Sequence, residues 1–365
     1  MPQSAPDGLH WHRNDNVTAM TPINMSIILL LRNEERFVTR NLESILSQLA
    51  DRQDVEVICV DGASSDRTPQ ILADYARRDR RVQMVNNPRK RTPTAMNIGI
   101  RLARGELVVF LGGHCEYSDN YLSACREVIG RTGADVVGGF MKTLPIADTP
   151  TGRAIASATS SSFGVGNAAF RTGGDEREVD TVPYGCYRRE VFIKFGLFDE
   201  RLVRNQDIEL NTRIRRNGGR IVISPSIRMT YFNRSTLAGI RQQSYYNGLW
   251  NVYTLFLTGG GLRLRHFVPL AFVMGLIILS ALTVLWLGAG ILLAGYLSVY
   301  LLAAVLAARK AAADKKASIP LVVLAYLNLH LSYGFGSLVG LLTAPFRMGR
   351  GSKGPHFEHL PDRQD

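Results

Sequence analysis

The sequence predicts an α/β domain built on parallel strands, followed by apolar helices long enough to enter a bilayer. Three observations predict it. From Met25 onward short apolar runs alternate with helical stretches, the pattern of strands joined by helical crossovers. Residues 267–308 contain no Asp, Glu, Lys or Arg, and these 42 residues are about twice what one helix needs to cross a hydrocarbon core of ~30 Å. The 365 residues also exceed what one compact core commonly uses.

Composition narrows the classes. With 46% apolar and 20% charged residues the chain is neither disordered nor collagen-like. The net charge is +12, and residues 259–365 hold ten Lys and Arg against four Asp and Glu, placed beside the apolar runs. Basic residues in that position favour a membrane surface over a nucleic acid, and no DNA or RNA module is recognisable. The four cysteines, Cys59, Cys115, Cys125 and Cys186, show no C-x-x-C spacing, as expected of buried thiols in a reducing compartment. Residues 1–24 are polar, carry Pro2 and Pro6 and have no apolar signal region, so they read as a flexible tail and the globular part as cytosolic.

In order, the strand candidates are Met25–Leu31, Val55–Asp61, 82–85, 106–111 and 134–140. Thr68-Pro69 and Thr92-Pro93 each set a capping hydroxyl before a proline suited to the first turn, and Ser118 is a further candidate cap. Residues 25–235 form the globular domain on this reading. Residues 236–258 mix aromatic and apolar side chains with Arg241, Gln242, Gln243 and Asn247, the composition of an amphipathic helix at the membrane surface; packing on the globular domain is the alternative. Residues 259–346 form the membrane region. Two helices fit into 267–308 around Gly288 and Gly290, and Arg309, Lys310, Lys315 and Lys316 then belong on the cytosolic side with Arg263 and Arg265. A third apolar stretch, 319–346, would take Arg347, Arg350 and Lys353 to the far side if it crossed. Its glycines, Pro345, His330 and Asn328 also suit a re-entrant or interfacial segment, so two or three crossings remain open. Residues 347–365 form a basic tail.

In open α/β sheets ligands bind beyond the carboxyl ends of the strands, here after Leu31, Asp61 and Leu111. The first end reads Leu30-Leu31-Arg32-Asn33-Glu34-Glu35 and the second Val60-Asp61-Gly62-Ala63-Ser64-Ser65-Asp66-Arg67-Thr68. From the residues alone, Asp61 can cap a helix or turn, Glu34 or Glu35 can sit at a helix's positive end, and Asp66 stabilises the turn before Thr68. Together the two motifs resemble family 2 glycosyltransferases of the GT-A fold. The resemblance spans residues 23–236, with motifs in order at four loop positions. It implies that Leu30 and Arg32 lie against the base of a nucleotide sugar with Glu34 nearby, and that Asp61 accepts the uracil imide N–H. By the same resemblance Arg91 and Asn97, in the segment after the third strand, reach the nucleotide.

At the fourth strand end, Gly112-Gly113-His114-Cys115-Glu116, the family carries D-x-D or D-x-H for a divalent cation, Mg²⁺ or Mn²⁺. His114 matches the last position, whereas Gly112 replaces the first aspartate. Glu116 could supply the carboxylate, the diphosphate and His114 could hold the ion, or Arg89, Lys90, Arg91 and Arg188 could neutralise the phosphates directly. Gly112 and Gly113 border the donor on this account. Tyr184 and Gly185 fall near the sugar or acceptor, as do Gln206 and Glu209. The segment Arg204-Asn205-Gln206-Asp207-Ile208-Glu209-Leu210 is similar to the succinoglycan-biosynthesis branch, and the resemblance makes Asp207 the general base. Spacing pairs Glu209 with Arg213 and puts Leu210 and Ile214 on a buried face. The resulting expectation is an inverting enzyme that moves a hexose, glucose by resemblance, from a UDP-sugar to a polyprenyl-diphosphate-linked saccharide, in exopolysaccharide or cell-surface glycan synthesis. It would be a multi-pass protein of the inner membrane with its catalytic domain in the cytosol. The alternative is a membrane scaffold or sensor that binds nucleotide sugar without transfer, motivated by Gly112.

Overall fold

The computed structural model describes residues 22–50, 52–113, 115–166, 168–260, 262–313, 316–347 and 358–361. They divide into two compact units. The first combines the chain up to Gly139 with Asp175–Met229 and the described residues beyond 356; the second combines Phe140–Gly174 with the described residues of Thr230–Pro355.

The strands are β1 (Met25–Leu31), β2 (Val55–Asp61), β3 (Val82–Asn86), β4 (Leu107–Gly112), β5 (Cys115–Tyr117), β6 (Val136–Pro145), β7 (Arg177–Glu178), β8 (Cys186–Arg188) and β9 (Ile221–Asn233). Among the described residues they form one sheet in the order β3-β2-β1-β4-β8-β6-β9-β5, with β7 beside β9. The first four are parallel, whereas β8 runs antiparallel to both β4 and β6. The sheet is therefore mixed, and the wholly parallel expectation holds for its first half. The helices between the strands are α1 (Val38–Leu49), α2 (Thr68–Arg78), α3 (Thr92–Leu102), α4 (Tyr121–Thr132), α5 (Pro150–Ala158), α6 (Ser162–Val165), α7 (Ala169–Thr172), α8 (Glu190–Lys194) and α9 (Gln206–Arg216).

β1 and β2 are apolar on both faces and buried along nearly their whole length, as interior parallel strands must be. α3 approaches β1 so closely that a Cβ on Gly99 would lie 2.5 Å from Ile28, which is why the helix needs glycine there. Beside β4 and β8, the rings of Phe110, Tyr187, Phe192 and Phe198 meet at centroid distances of 5.5–6.4 Å, each pair adding roughly 0.5–1.5 kcal/mol beyond the area it buries. All four cysteines are buried and free, and burial pushes the Cys59 thiol up to about 12.

The proline signals place two helix starts correctly, at Thr68 and Thr92, but the hydroxyls act otherwise. Thr68 Oγ1 accepts the Glu34 N–H at 2.8 Å, and the carboxylate of Asp66 takes the Thr68 N–H at 3.0 Å. α4 starts at Tyr121 without a side-chain cap; Ser118 serves through its carbonyl, which accepts the Tyr121 N–H at 2.8 Å. At the far end of the chain, Leu197 donates to the Glu358 carbonyl at 2.6 Å and Leu360 to that of Phe192 at 3.1 Å, with Leu360 buried. This part of the basic tail is thus packed into the first unit.

The second unit contains α10 (Leu237–Thr258), α11 (Val268–Leu285), α12 (Gly288–Ala313) and α13 (Ile319–Arg347). α11, α12 and α13 are long and apolar enough to cross a membrane; α13 is buried over 44% of its most apolar stretch, against 11% for each of the others. In α10 the apolar residues are distributed around the helix, and much of its length packs along α13. Glycines allow that approach. A Cβ on Gly248 would meet the Tyr333 carbonyl at 2.0 Å, and one on Gly336 the Tyr245 carbonyl at 2.0 Å.

Gly336→Ala should therefore force the helices apart and lower stability by roughly 1–3 kcal/mol, the usual cost of overpacking. Thermal unfolding in detergent checks this against Gly295→Ala in α12, where nothing lies within 4 Å of the new methyl and no loss is expected.

Candidate functional site

Register fixes the site. Leu30 pairs with Val60 on one side and Gly112 on the other, and Leu31 pairs with Asp61, so the ends of β1, β2 and β4 arrive level. The loops that leave them are tied together: Asn33 Oδ1 accepts the Ser65 N–H at 2.8 Å, Ser64 Oγ accepts the Asn33 N–H at 2.8 Å, and Glu35 accepts the Arg67 N–H at 3.1 Å. Asn33 holds a left-handed backbone, φ 57°, to make this turn.

Asp61 is buried to 3% exposure, and its carboxylate accepts the Ser64 N–H at 3.0 Å and the Ser64 hydroxyl at 2.5 Å. A carboxylate has about four lone-pair sites, so two bonds leave it able to accept more. The Arg32 side chain runs over Gly62, 3.2 Å from where a Cβ would stand, and the buried Glu34 packs in the same manner on Gly113. Leu30, Arg32, Glu34, Asp61, Gly112 and Gly113 thus share one rim. Arg91 is exposed and connects to it indirectly: Asn87 donates its N–H to the Asp61 carbonyl at 2.7 Å and its side-chain amide to the Arg91 carbonyl at 2.9 Å. Asn97 faces elsewhere. Its amide donates to the Phe198 carbonyl and Glu200 and accepts the Phe198 N–H, all within 2.9–3.1 Å, fastening α3 to that loop.

Gly112 makes room for Tyr184. A Cβ at Gly112 would lie 2.6–2.8 Å from Cε1, Cζ and Oη of that ring, so the phenol fills the space in which an aspartate side chain would begin. Tyr184 is held with φ 48°, and its carbonyl accepts the Tyr121 hydroxyl at 3.0 Å. Gly185, the next residue, gives its carbonyl to the Phe110 N–H at 3.2 Å.

Two residues that the motifs did not reveal organise this turn. The Asn41 amide donates toward the carbonyls of Gly112, Gly113 and Cys115 at 3.0–3.3 Å, and the Tyr117 hydroxyl accepts the Gly112 N–H at 2.7 Å. The signal for Asn41 was its position: it shares the buried face of α1 with Val38, Leu42, Ile45 and Leu49.

His114 lies outside the described residues, and the described donors do not fit a Mg²⁺ or Mn²⁺ site. Gly112 brings no carboxylate, Glu116 pairs with Arg40 at 2.6 Å, and no three His, Cys, Asp or Glu come together among the described residues. Nor is Arg188 placed for phosphates, because its guanidinium donates to the Ile129 and Ala134 carbonyls at the end of α4.

The last element is the start of α9. Four carboxylates stand between residues 199 and 209, and three have cations: Asp199 with Arg201 at 2.6 Å, Glu200 with Arg89 at 3.0 Å and Glu209 with Arg213 at 2.6 Å. Asp207 has no ion pair among the described residues; its Oδ1 accepts the Ile208 N–H at 2.9 Å. Burial raises its pKa above the ordinary carboxylate range, against that hydrogen bond, and its charge in turn helps to raise the Tyr187 phenol. Gln206 opens the helix beside it, while Leu210 and Ile214 are fully buried.

A mixed sheet with a polar rim at the ends of its parallel strands is the architecture of a GT-A fold. Residues 26–196 match the family model of glycosyl transferase family 2. The chain is 27% identical over 254 residues to the succinoglycan biosynthesis protein ExoA of Rhizobium meliloti (strain 1021), covering 69% of this chain and 76% of that protein. It is 24% identical over 248 residues to the dolichyl N-acetyl-alpha-D-glucosaminyl phosphate 3-beta-D-2,3-diacetamido-2,3-dideoxy-beta-D-glucuronosyltransferase of Methanococcus voltae, covering 62% and 76%. In fold it is similar to the mannosyltransferase PcManGT from Pyrobaculum calidifontis, solved with GDP-Man and Mn²⁺, at TM-score 0.54 and 17% identity over 92% of each chain.

Asn41→Ala should leave three carbonyls of the turn without their donor and cost about 1–3 kcal/mol. Asn41→Asp should cost more, since a carboxylate faces the same carbonyls; chemical denaturation of both variants checks the order.

Proposed function

We propose that this chain is an inverting glycosyltransferase of polysaccharide biosynthesis that moves a hexose, glucose in the first instance, from a UDP-sugar to a lipid-linked saccharide at the cytosolic face of the inner membrane. The observation that carries the reading is the isolation of Asp207. Its three neighbouring carboxylates are neutralised by arginines, whereas Asp207 stands at a helix start with a raised pKa and no ion pair among the described residues, a carboxylate left free to accept a proton. In the reaction Asp207 takes the proton from the acceptor hydroxyl. That oxygen attacks the anomeric carbon in line as the bond to the nucleoside diphosphate breaks on the opposite face, which inverts the centre.

At the other end of the donor, Asp61 accepts the uracil imide N–H with its remaining lone pairs, and Leu30 and Arg32 bound the base. Glu34, Gly112 and Gly113 line the path toward the diphosphate, with Arg91 at its margin; Asn97 supports the loop that carries Glu200. Tyr184, Gly185, Gln206 and Glu209 surround the sugar and acceptor. No step is routed through a metal ion. α11 and α12 supply the anchor, and an acceptor on a polyprenyl diphosphate stays in the same two-dimensional space, which raises its effective concentration.

Turnover is measured as UDP release from UDP-glucose, with native lipid extract as acceptor and with Mg²⁺, Mn²⁺ or EDTA. Asp207→Asn should lower it by at least 10²-fold with UDP binding retained, while Glu209→Gln should act mainly on stability. Release at the wild-type rate by Asp207→Asn would sink the assignment. The base must be deprotonated, so the raised pKa predicts an acid limb in the rate profile above the ordinary carboxylate range. The same shift also costs stability: the unfolded chain releases this proton at lower pH than the folded chain, so stability falls as pH rises from the ordinary carboxylate value through the raised one. Asp207→Asn should accordingly unfold at a higher temperature than the parent at pH 7.

Gly112→Asp should fail to restore a family-like metal response, because its Cβ collides with the Tyr184 ring. Gly112→Asp combined with Tyr184→Ala should tolerate the carboxylate. Thermal stability and the metal titration of UDP release read both variants; equal stability of the single variant and the parent would contradict the steric account.

A further inference from the structure

We infer that α13 is not a third crossing but an interfacial helix at the base of the α11–α12 hairpin, so that the chain spans the bilayer twice. The inference rests on the reading of α11 and α12 as membrane spans, and four observations within the chain carry it.

The first is connectivity. The first unit contains both residues up to Met229, before α10, and Glu358 and Leu360, after α13, held to Leu197 and Phe192 by backbone hydrogen bonds. A globular unit stands on one side of a bilayer, so the helices between must cross an even number of times. If α13 crossed, residues 348–357 would have to return through ~30 Å of hydrocarbon carrying Arg350, Lys353 and His356.

The second is where α13 touches the α11–α12 pair. It meets the start of α11 and the second half of α12 up to that helix's middle: Gly334 lies against Pro269 and Val273, His330 Nδ1 bonds the hydroxyl of Tyr300 at mid-helix at 2.9 Å, and Ala304, Ala308 and Ala312 pack with Val322, Ala325 and Tyr326. The opposite ends stay bare, with Leu285 82%, Leu287 90% and Ile291 76% exposed. α13 therefore lies across the base of the hairpin, next to Arg263, Arg265, Arg309 and Lys310.

The third is its cover. α5 and α6 pack on the first part of α13: Ser161 bonds the Tyr326 hydroxyl at 2.7 Å, and the Phe163 carbonyl meets His330 Nε2 at 2.9 Å. This segment carries the exposed Asp148–Arg153 ion pair, which a bilayer core would not admit. Beyond His330 only the 17 residues to Arg347 remain, about 25 Å of helix and less than the ~30 Å core.

The fourth is the face left over. Leu324, Leu331, Phe335, Leu342 and Phe346 are exposed at intervals of seven and four residues, which is one stripe along a helix. Its occupant is lipid. The stripe belongs to a helix already packed against the near ends of two apolar spans, and the arrangement keeps Arg263, Arg265, Arg309, Lys310 and Arg347 on one side, where anionic headgroups and the positive-inside rule favour them.

Single cysteines at three positions of the full-length chain test the arrangement: Gly290→Cys between α11 and α12, Lys310→Cys and Ser352→Cys. The native cysteines are buried, and nothing lies within 4 Å of a Cβ at Gly290. A membrane-impermeant maleimide is applied to right-side-out and inverted vesicles, with labelling normalised to that in detergent. Ser352→Cys and Lys310→Cys should label together in inverted vesicles, at least tenfold above right-side-out ones, with Gly290→Cys showing the reverse. Ser352→Cys labelling with Gly290→Cys, opposite Lys310→Cys, would overturn the inference and leave three crossings. All three labelling from one side would remove the hairpin span itself, and with it the membrane-spanning part of the proposed function.

Discussion

The register of β1 between β2 and β4 is the constraint on which the rest of the first unit depends. β1 is buried on both faces, so it cannot slip by one residue without exchanging the side chains that meet the helices on either side. With the register set, Leu31 is level with Asp61 and Leu30 with Gly112, and the polar residues that follow each strand have to share one rim. The loops then restrain one another: Asn33 holds Ser65, Glu35 holds Arg67, and Thr68 holds the Glu34 backbone. Asn41 does the same for the end of β4 from α1. A rim built in this way positions its carboxylates before any ligand arrives.

Gly112 and Tyr184 are one substitution seen from two positions. The resemblance would put an aspartate at Gly112, but the Tyr184 ring occupies that space, and Tyr184 has a left-handed backbone. The space is filled by a phenol, which can donate a hydrogen bond. On the proposed reading, the alternative of a binding-only protein then loses its motivation, since Gly112 reflects repacking of the site while Asp207 keeps the chemical competence of the α9 start.

The parallel half of the sheet was legible because its strands are apolar runs of five to seven residues separated by helices with proline starts. In the antiparallel half only β6 was legible, as the candidate 134–140. β5 and β8 have three residues each and β7 two, too short to show a period of any kind. Among the site residues, the rim after β1 and β2 and the Glu209–Arg213 pair followed from local spacing. Tyr184 against Gly112 and Asn97 against Phe198 did not, because they join residues 72 and 101 positions apart whose types suit many partners. Asn41 was detectable in principle as a polar residue on an apolar helix face, yet nothing in the sequence says which carbonyls it meets.

In the second unit, composition alone could not separate a spanning helix from an interfacial one, because hydropathy counts residues and not their neighbours. Gly248, Gly334, Gly336 and Gly340 weaken the apolar signal of α10 and α13 and at the same time permit the close backbone approach that buries them. α11 and α12 show the contrary pattern: few buried residues and large apolar side chains turned outward along helices long enough to cross a membrane. The difference in burial between helices of comparable length therefore carries the information that length lacks. A helix that spends its small residues on protein contacts and keeps a single stripe of Leu and Phe outward needs one apolar boundary, and a membrane surface provides one, whereas a crossing would surround it.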